Sequence, residues 1–296
     1  MPLAAYFNEI RKEVDNKLDH LVPKIETPPS RLHEAMRYSL FAGGKRLRPI
    51  LAVASCEAVG GKRSTVTPFA AALEMIHTYT LIHDDLPALD NDDMRRGHPT
   101  SHVKFGESTA ILAGDALLTL AFEILTGRSL FSETPSETLL DVAAMTAASI
   151  GSTGTIGGQV VDLEMEGAEP DIAVLEYIHT HKTGKLILAS VHGGAALAGA
   201  EPDQLEALSE YGRNIGLAFQ VVDDILDVEG DEKSLGKKAG ADLAKSKVTY
   251  PSLMGVEDSR KLAARLIDRA IASLEILGAD AVRLADLAKY VIARTF

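Results

Sequence analysis

Apolar residues recur three and four apart along almost all of this 296-residue chain, and no convincing run of β-branched residues alternates with polar ones. Such spacing draws one apolar stripe down each of a series of helices and leaves little from which to build a sheet. Helices are expected at 2–20, 31–42, 49–60, 67–86, 107–126, 136–150, 171–192, 203–227, 240–254, 257–276 and 281–294. The diet agrees: Ala and Leu are abundant, Trp is absent and aromatics make up 5% of residues, which suits helices packed closely on small side chains. Turn chemistry falls at Pro28-Pro29-Ser30, Gly43-Gly44, Gly60-Gly61, Gly167 to Pro170 and Gly199 to Pro202. These connections are short, as within one helical domain, so a single all-α domain over 1–296 is expected. Two polar loops are longer, Gly127 to Glu137 and Glu229 to Gly240, and the second is the better candidate for a lid.

Composition excludes several classes of partner. A formal charge of −12 offers no broad basic surface for a nucleic acid backbone. The lone Cys56 rules out a disulfide within the chain and points to a reducing compartment, most simply the cytosol. The mixed charges of Met1 to Asp19 fit neither a signal nor a transit peptide. No stretch reads as apolar enough for long enough to span a bilayer, so a soluble protein without stable membrane insertion is expected.

Two aspartate clusters interrupt the apolar helices: Ile82-His83-Asp84-Asp85-Leu86-Pro87-Ala88-Leu89-Asp90 and Val221-Val222-Asp223-Asp224-Ile225-Leu226-Asp227. Adjacent carboxylates repel and are costly to bury unless a cation lies between them. One such cluster could be a solvated helix end. Two, each between residues that belong in a core, argue for divalent cations shared between two helices, and Mg²⁺ suits sparse carboxylate ligation beside a substrate phosphate. Asp223 and Asp227 are four apart and share a helical face. Pro87 disfavours helix at Leu86, so the first motif bulges or ends its helix before Asp90. His77 lies seven residues before Asp84, about 20° away on the same helical stripe.

Basic residues gather near these motifs. In Gly43-Gly44-Lys45-Arg46-Leu47-Arg48-Pro49, the glycines end one helix and Pro49 suits the first turn of the next. Lys45, Arg46 and Arg48 then sit at a helix N-terminus, which favours an anion. Arg95-Arg96 follows the first aspartate motif. Two basic clusters beside a carboxylate–metal site suggest two phosphate-bearing substrates, one held on metals and one on cations. The run Gly151 to Gly158 has no strand before it, so it reads as helix kinking or close helix contact and not as a dinucleotide loop.

The strings GGKRLRP (43–49), IHDDLPALDNDDMRRG (82–97), HKTGKL (181–186) and FQVVDDILD (219–227) resemble, in order, those of the trans-prenyl diphosphate synthases. The chain resembles most the bacterial-type farnesyl diphosphate synthases, or geranyltranstransferases. That resemblance implies an all-α isoprenoid synthase bundle around a central cavity, a homodimer, and Mg²⁺-dependent head-to-tail joining of an allylic diphosphate to isopentenyl diphosphate with release of pyrophosphate. It implies that Asp84 and Asp90 ligate Mg²⁺ with Asp85 alongside, and that Asp223 ligates with Asp224 and Asp227 in support. Lys45, Arg48, His77 and Arg96 match the isopentenyl diphosphate pocket, and Arg95, Lys182 and Lys237 match contacts to the allylic diphosphate. Thr183 and Gln220 match the polar groups facing the carbocation. No side chain is an obvious base for the final proton, and the family's usual base is the departing pyrophosphate. His179 and His181 are as readily structural as functional, and the tail 293–296 is a candidate to fold over the site.

Tyr79, five residues before Asp84 and so a rise of roughly 7.5 Å away, resembles the floor that stops growth at fifteen carbons. An ideal wheel puts Thr80 more directly beneath Asp84, and a plain core aromatic is the alternative reading of Tyr79. Other enzymes with the same metal logic, a terpene cyclase or a diphosphate hydrolase, need no second diphosphate pocket. A non-catalytic subunit would be expected to lack one of the two motifs. Within the resemblance, a geranylgeranyl diphosphate synthase is the runner-up.

Overall fold

The computed structural model describes residues 2–165, 167–168, 171–229 and 248–293. Lys237, most of the candidate lid, residues 294–296 of the tail and the first part of the helix expected at 240–254 lie outside the described residues. The chain divides into two compact units, one of residues 1–53 and 63–143, the other of 54–62 and 144–296.

The first unit is built on a long helix. α1 (Leu3–Leu21) buries Tyr6, Ile10, Val14 and Leu18, a stripe spaced by four, against α4 (Arg63–Asp84). α2 (Ser30–Leu40) and α6 (Glu107–Thr126) also pack on α4, which is buried almost continuously from Phe69 to Ile76. The α6 face that meets it carries Ala110, Ala113, Gly114, Leu117 and Ala121, mostly small residues that let the backbones approach. The first part of α3 (Leu47–Ala58), the short α5 (Ser101–Phe105) and the first half of α7 (Ser136–Ile150) complete this part of the chain.

Between α4 and α5 the structure adds a small hairpin, β1 (Met94–Arg95) paired antiparallel with β2 (His98–Pro99). Its two turn residues, Arg96 and Gly97, both have positive φ, 53° and 79°, the signature of a tight turn that follows the strand twist.

The second unit is organised by α11 (Pro202–Glu229), a 28-residue helix. Before it come α8 (Thr155–Glu164), α9 (Ile172–Ile178), a π-turn (His179–Gly184) and α10 (Lys185–Leu197). After it come α12 (Tyr250–Met254), α13 (Val256–Ser273) and α14 (Val282–Ala293). α10, the π-turn, α12, α13 and α14 all contact α11. Its Tyr211 is fully buried and donates its hydroxyl to the Leu284 carbonyl at 2.8 Å.

Three expectations need correction here. α8 was not among the expected helices, although the glycine run at its start read as helix kinking or close helix contact, and the helix expected at 171–192 is interrupted by the π-turn. By length and composition, α6 and the segment Ser136–Glu164 are apolar enough to cross a bilayer, contrary to the sequence reading. A packed core helix passes the same test, and α6 spends one apolar face on α4.

Candidate active site

In the first unit, α4 ends at Asp84 and the chain folds back at once. The Asp90 N–H donates to the Asp84 carbonyl at 2.8 Å, and Leu89 and Asn91 donate to Leu86 at 2.9 and 3.1 Å. This compact turn returns Asp90 to Asp84, and both carboxylates are half-buried. Asp85 is used otherwise. It is 3% exposed and accepts a forked pair from Arg95, Nε to both oxygens at 2.7 and 2.9 Å and Nη2 at 2.5 Å.

Arg96, at the hairpin turn, donates to the Gly43 carbonyl, and its guanidinium lies against Gly44. A Cβ on Gly44 would come within 2.7 Å of Arg96 Nη1, and Gly44 has φ +135°, so only glycine serves there. This contact joins the hairpin to the Lys45–Arg48 loop. His77 reports the result: burial, then the nearby Arg48, Arg96, Arg95 and Arg46, push its imidazole well below the usual histidine range and keep it neutral. A cleft lined by Ser39, Thr78, Asp85, Arg95 and Arg96 runs alongside.

Arg46 departs from the anion-binding role expected of it. It is 3% exposed and turned inward, bonded to Asp15 at 2.9 Å, Glu74 at 2.7 Å and the Leu40 carbonyl at 2.8 Å. Its φ of 53° reverses the side chain relative to its neighbours. Lys45 is exposed and Arg48 half-buried.

Tyr79 is 5% exposed, and burial beside Asp84 pushes its phenol up to about 12. Thr80 is half-buried and returns its hydroxyl to the His77 carbonyl at 2.8 Å.

In the second unit, Lys182 and Thr183 sit in the π-turn, a local widening of the helix that recurs at functional sites. Gly184 packs on Gly216 of α11, where a Cβ would stand 3.0 Å from the Gly184 Cα. That contact sets Thr183 beside the helix carrying Gln220, Asp223 and Asp227, all half-buried. Asp224 is 5% exposed and accepts from the Tyr250 N–H at 2.9 Å, with His179 Nε2 3.8 Å away. Burial drives the His179 imidazole down to about 4, so it faces Asp224 uncharged. His181 is stacked on Tyr177 and bonded to its carbonyl at 2.8 Å.

Sequence reasoning missed Asp162 on α8. Its Oδ2 accepts from Lys182 Nζ at 2.7 Å. The spacing between the glycines and Asp162 could have revealed it, since a Cβ on Gly158 would meet the Lys182 nitrogen at 2.3 Å, so α8 lies flush on the π-turn. One turn before Asp162, the amide of Gln159 is buried with neither atom bonded among the described residues.

Carboxylate oxygens are the donors Mg²⁺ prefers, and the pairs Asp84/Asp90 and Asp223/Asp227 supply them from half-buried positions. Among the described residues no three Asp, Glu, His or Cys side chains converge to cage a metal alone. That fits an ion completed by water and substrate phosphate.

Residues 29–278 match the polyprenyl synthetase family. The chain belongs to that family. The chain is 45% identical over 293 residues to a geranylgeranyl diphosphate synthase of Cyanophora paradoxa, covering 99% of this chain and 96% of the relative. It is 44% identical over 289 residues to a farnesyl diphosphate synthase of Geobacillus stearothermophilus, covering 98% and 97%. The crystal structure of an FPP/GFPP synthase from Zymomonas mobilis matches with a TM-score of 0.87 at 36% identity, over 98% of each chain. The chain is thus an all-α prenyltransferase of the kind that elongates prenyl chains. The family's substrates are isopentenyl and allylic diphosphates.

Proposed function

We propose that this enzyme condenses isopentenyl diphosphate with dimethylallyl or geranyl diphosphate and stops at farnesyl diphosphate. The observation that carries the product length is Tyr79, a buried aromatic on α4 five residues before Asp84. A ring so placed occupies the space a longer tail would need. The resemblance of Tyr79 to the fifteen-carbon floor and the farnesyl diphosphate synthase of Geobacillus stearothermophilus support this reading. The geranylgeranyl diphosphate synthase of Cyanophora paradoxa keeps a twenty-carbon product as the second reading.

Ionising an allylic C–O bond separates a cation from pyrophosphate, so catalysis must come from fixed charge around the leaving group. Mg²⁺, held through Asp84, Asp90, Asp223 and Asp227, would supply Lewis acidity and a template there. Arg95 and Lys182 hold the allylic diphosphate, each kept in place by a carboxylate of its own, Asp85 and Asp162. Lys45, Arg48, Arg96 and neutral His77 bind and orient isopentenyl diphosphate. Thr183 and Gln220 turn oxygen dipoles toward the carbocation while apolar walls exclude water. The departing pyrophosphate takes the final proton.

A homodimer and a cytoplasmic home belong to the same proposal. The apolar α6 leaves Ile111 and Leu112 exposed, 42% and 58%, a face suited to a second copy. Cys56 is buried, and burial pushes its thiol up to about 12, which suits an inert residue in a reducing compartment.

The deciding experiment sizes products formed from labelled isopentenyl diphosphate with dimethylallyl, geranyl or farnesyl starters. Fifteen-carbon product, abolished by EDTA and not extended from farnesyl diphosphate, is the expected result. Twenty-carbon product would replace the first reading with the second.

A further inference from the structure

Gly114 lies in the middle of α6, where alanine would favour the helix. The reason for glycine is on α4. A Cβ at Gly114 would stand 2.2 Å from His83 Nε2 and 2.6 Å from its Cδ2. The same Nε2 donates to the Ile111 carbonyl of α6 at 3.0 Å, and Asp115 Oδ1 lies 3.9 Å away. The imidazole also meets Tyr79, edge-on with ring centroids 5.7 Å apart and planes at 81°. The buried Tyr79 hydroxyl has no hydrogen-bond partner among the described residues, so packing and not polarity holds the phenol.

We propose that His83 is a specificity-determining residue that braces Tyr79, with Gly114 as the seat that admits its imidazole. This rests on the reading of Tyr79 as the floor. Product length is then a property of the α4–α6 contact: a fixed imidazole fixes the ring, and a freed one lets the ring swing and the tail advance. The brace lies one residue from Asp84 but acts through packing, so it shows in the length of the product more than in the rate of condensation.

The test sizes products from wild type, Tyr79→Ala, His83→Ala and the Tyr79→Ala/His83→Ala double variant, with isopentenyl incorporation and unfolding temperature followed for each. In His83→Ala the ratio of twenty- to fifteen-carbon product should rise roughly tenfold, the low end of what one buried group contributes to discrimination. The double variant should match Tyr79→Ala alone, because His83 acts through Tyr79. Lengthening by Tyr79→Ala but not by His83→Ala overturns the brace and leaves the floor standing. No change in either overturns both, and additive lengthening in the double variant shows that His83 works independently and overturns the brace. Gly114→Ala should reproduce the His83→Ala profile. If it does not fold, the Gly114→Ala/His83→Ala variant, which removes the clash, must fold with that profile or the seat is wrong.

Discussion

The two doubled aspartates look alike in sequence and are solved differently. In both, the first residue, Asp84 or Asp223, stays half-buried, and the second, Asp85 or Asp224, is turned into the protein at 3% and 5% exposure. Asp85 is balanced by a full opposite charge, the Arg95 fork. Asp224 accepts the backbone Tyr250 N–H and lies beside an uncharged His179. A doubled carboxylate is therefore a division of labour. Under the proposed function one member serves the chemistry, and its neighbour anchors the segment that carries it. How the anchor is neutralised decides what its loss costs.

The sharpest way to break this comparison is to remove the available members. Asp84→Asn and Asp223→Asn should each lower kcat by about 10³-fold, the scale of losing a preorganised charge at a leaving group, with unfolding temperature nearly unchanged. A larger fall in Asp85→Asn than in Asp84→Asn would reverse the assigned roles. Next comes the anchor in the first unit. Asp85→Ala strands the largely buried Arg95 and should cost about 3–5 kcal/mol in denaturant unfolding. Asp224→Asn keeps an acceptor for the Tyr250 N–H and should cost only about 1 kcal/mol. Equal losses would erase the difference between an anchor removed and an anchor whose acceptor is kept.

The cation of the second unit extends the same contrast. Asp162→Ala should raise KM for the allylic diphosphate roughly tenfold, about 1.4 kcal/mol, with a smaller change in KM for isopentenyl diphosphate. Asp162→Glu should restore part of it, and equal effects on both substrates would make Asp162 merely structural. The smallest effect is that of pH. His77 and His192 are held below the ordinary histidine value, burial first in each case. The unfolded chain binds those protons first, so stability should be complete above about pH 6.5 and fall below it, by at most about 1.4 kcal/mol per pH unit for each histidine. A flat unfolding temperature between pH 7 and 5 would contradict those depressed values.

Much of the helical frame was legible because its apolar spacing is regular. α6 and α7 begin and end where the pattern does, Glu107–Thr126 and Ser136–Ile150. α8 was hidden because glycine means two things. At Gly158 it permits contact with the π-turn, in line with the close-contact reading of the run, but it also weakens helix propensity, so no helix was placed there. Hiding α8 hid Asp162 with it. The inward turn of Arg46 was illegible for another reason: its partners Asp15 and Glu74 come from distant stretches of chain, and only the folded backbone brings them to it. The same holds for the seat at Gly114, where the need for glycine is set by a side chain on another helix.

The π-turn at His179–Gly184 has a consequence for how this protein can change over generations. A π-turn accommodates one residue more than the α-helical path between the same two flanks. A chain one residue shorter here could close into ordinary helix with α9 and α10 keeping their faces on the core. The swollen backbone that presents Lys182 and Thr183 would be gone. With Lys182 and Thr183 in the roles proposed for them, the scaffold would outlive the chemistry, and the loss of one residue at this single place would turn a catalyst into an inert copy of itself.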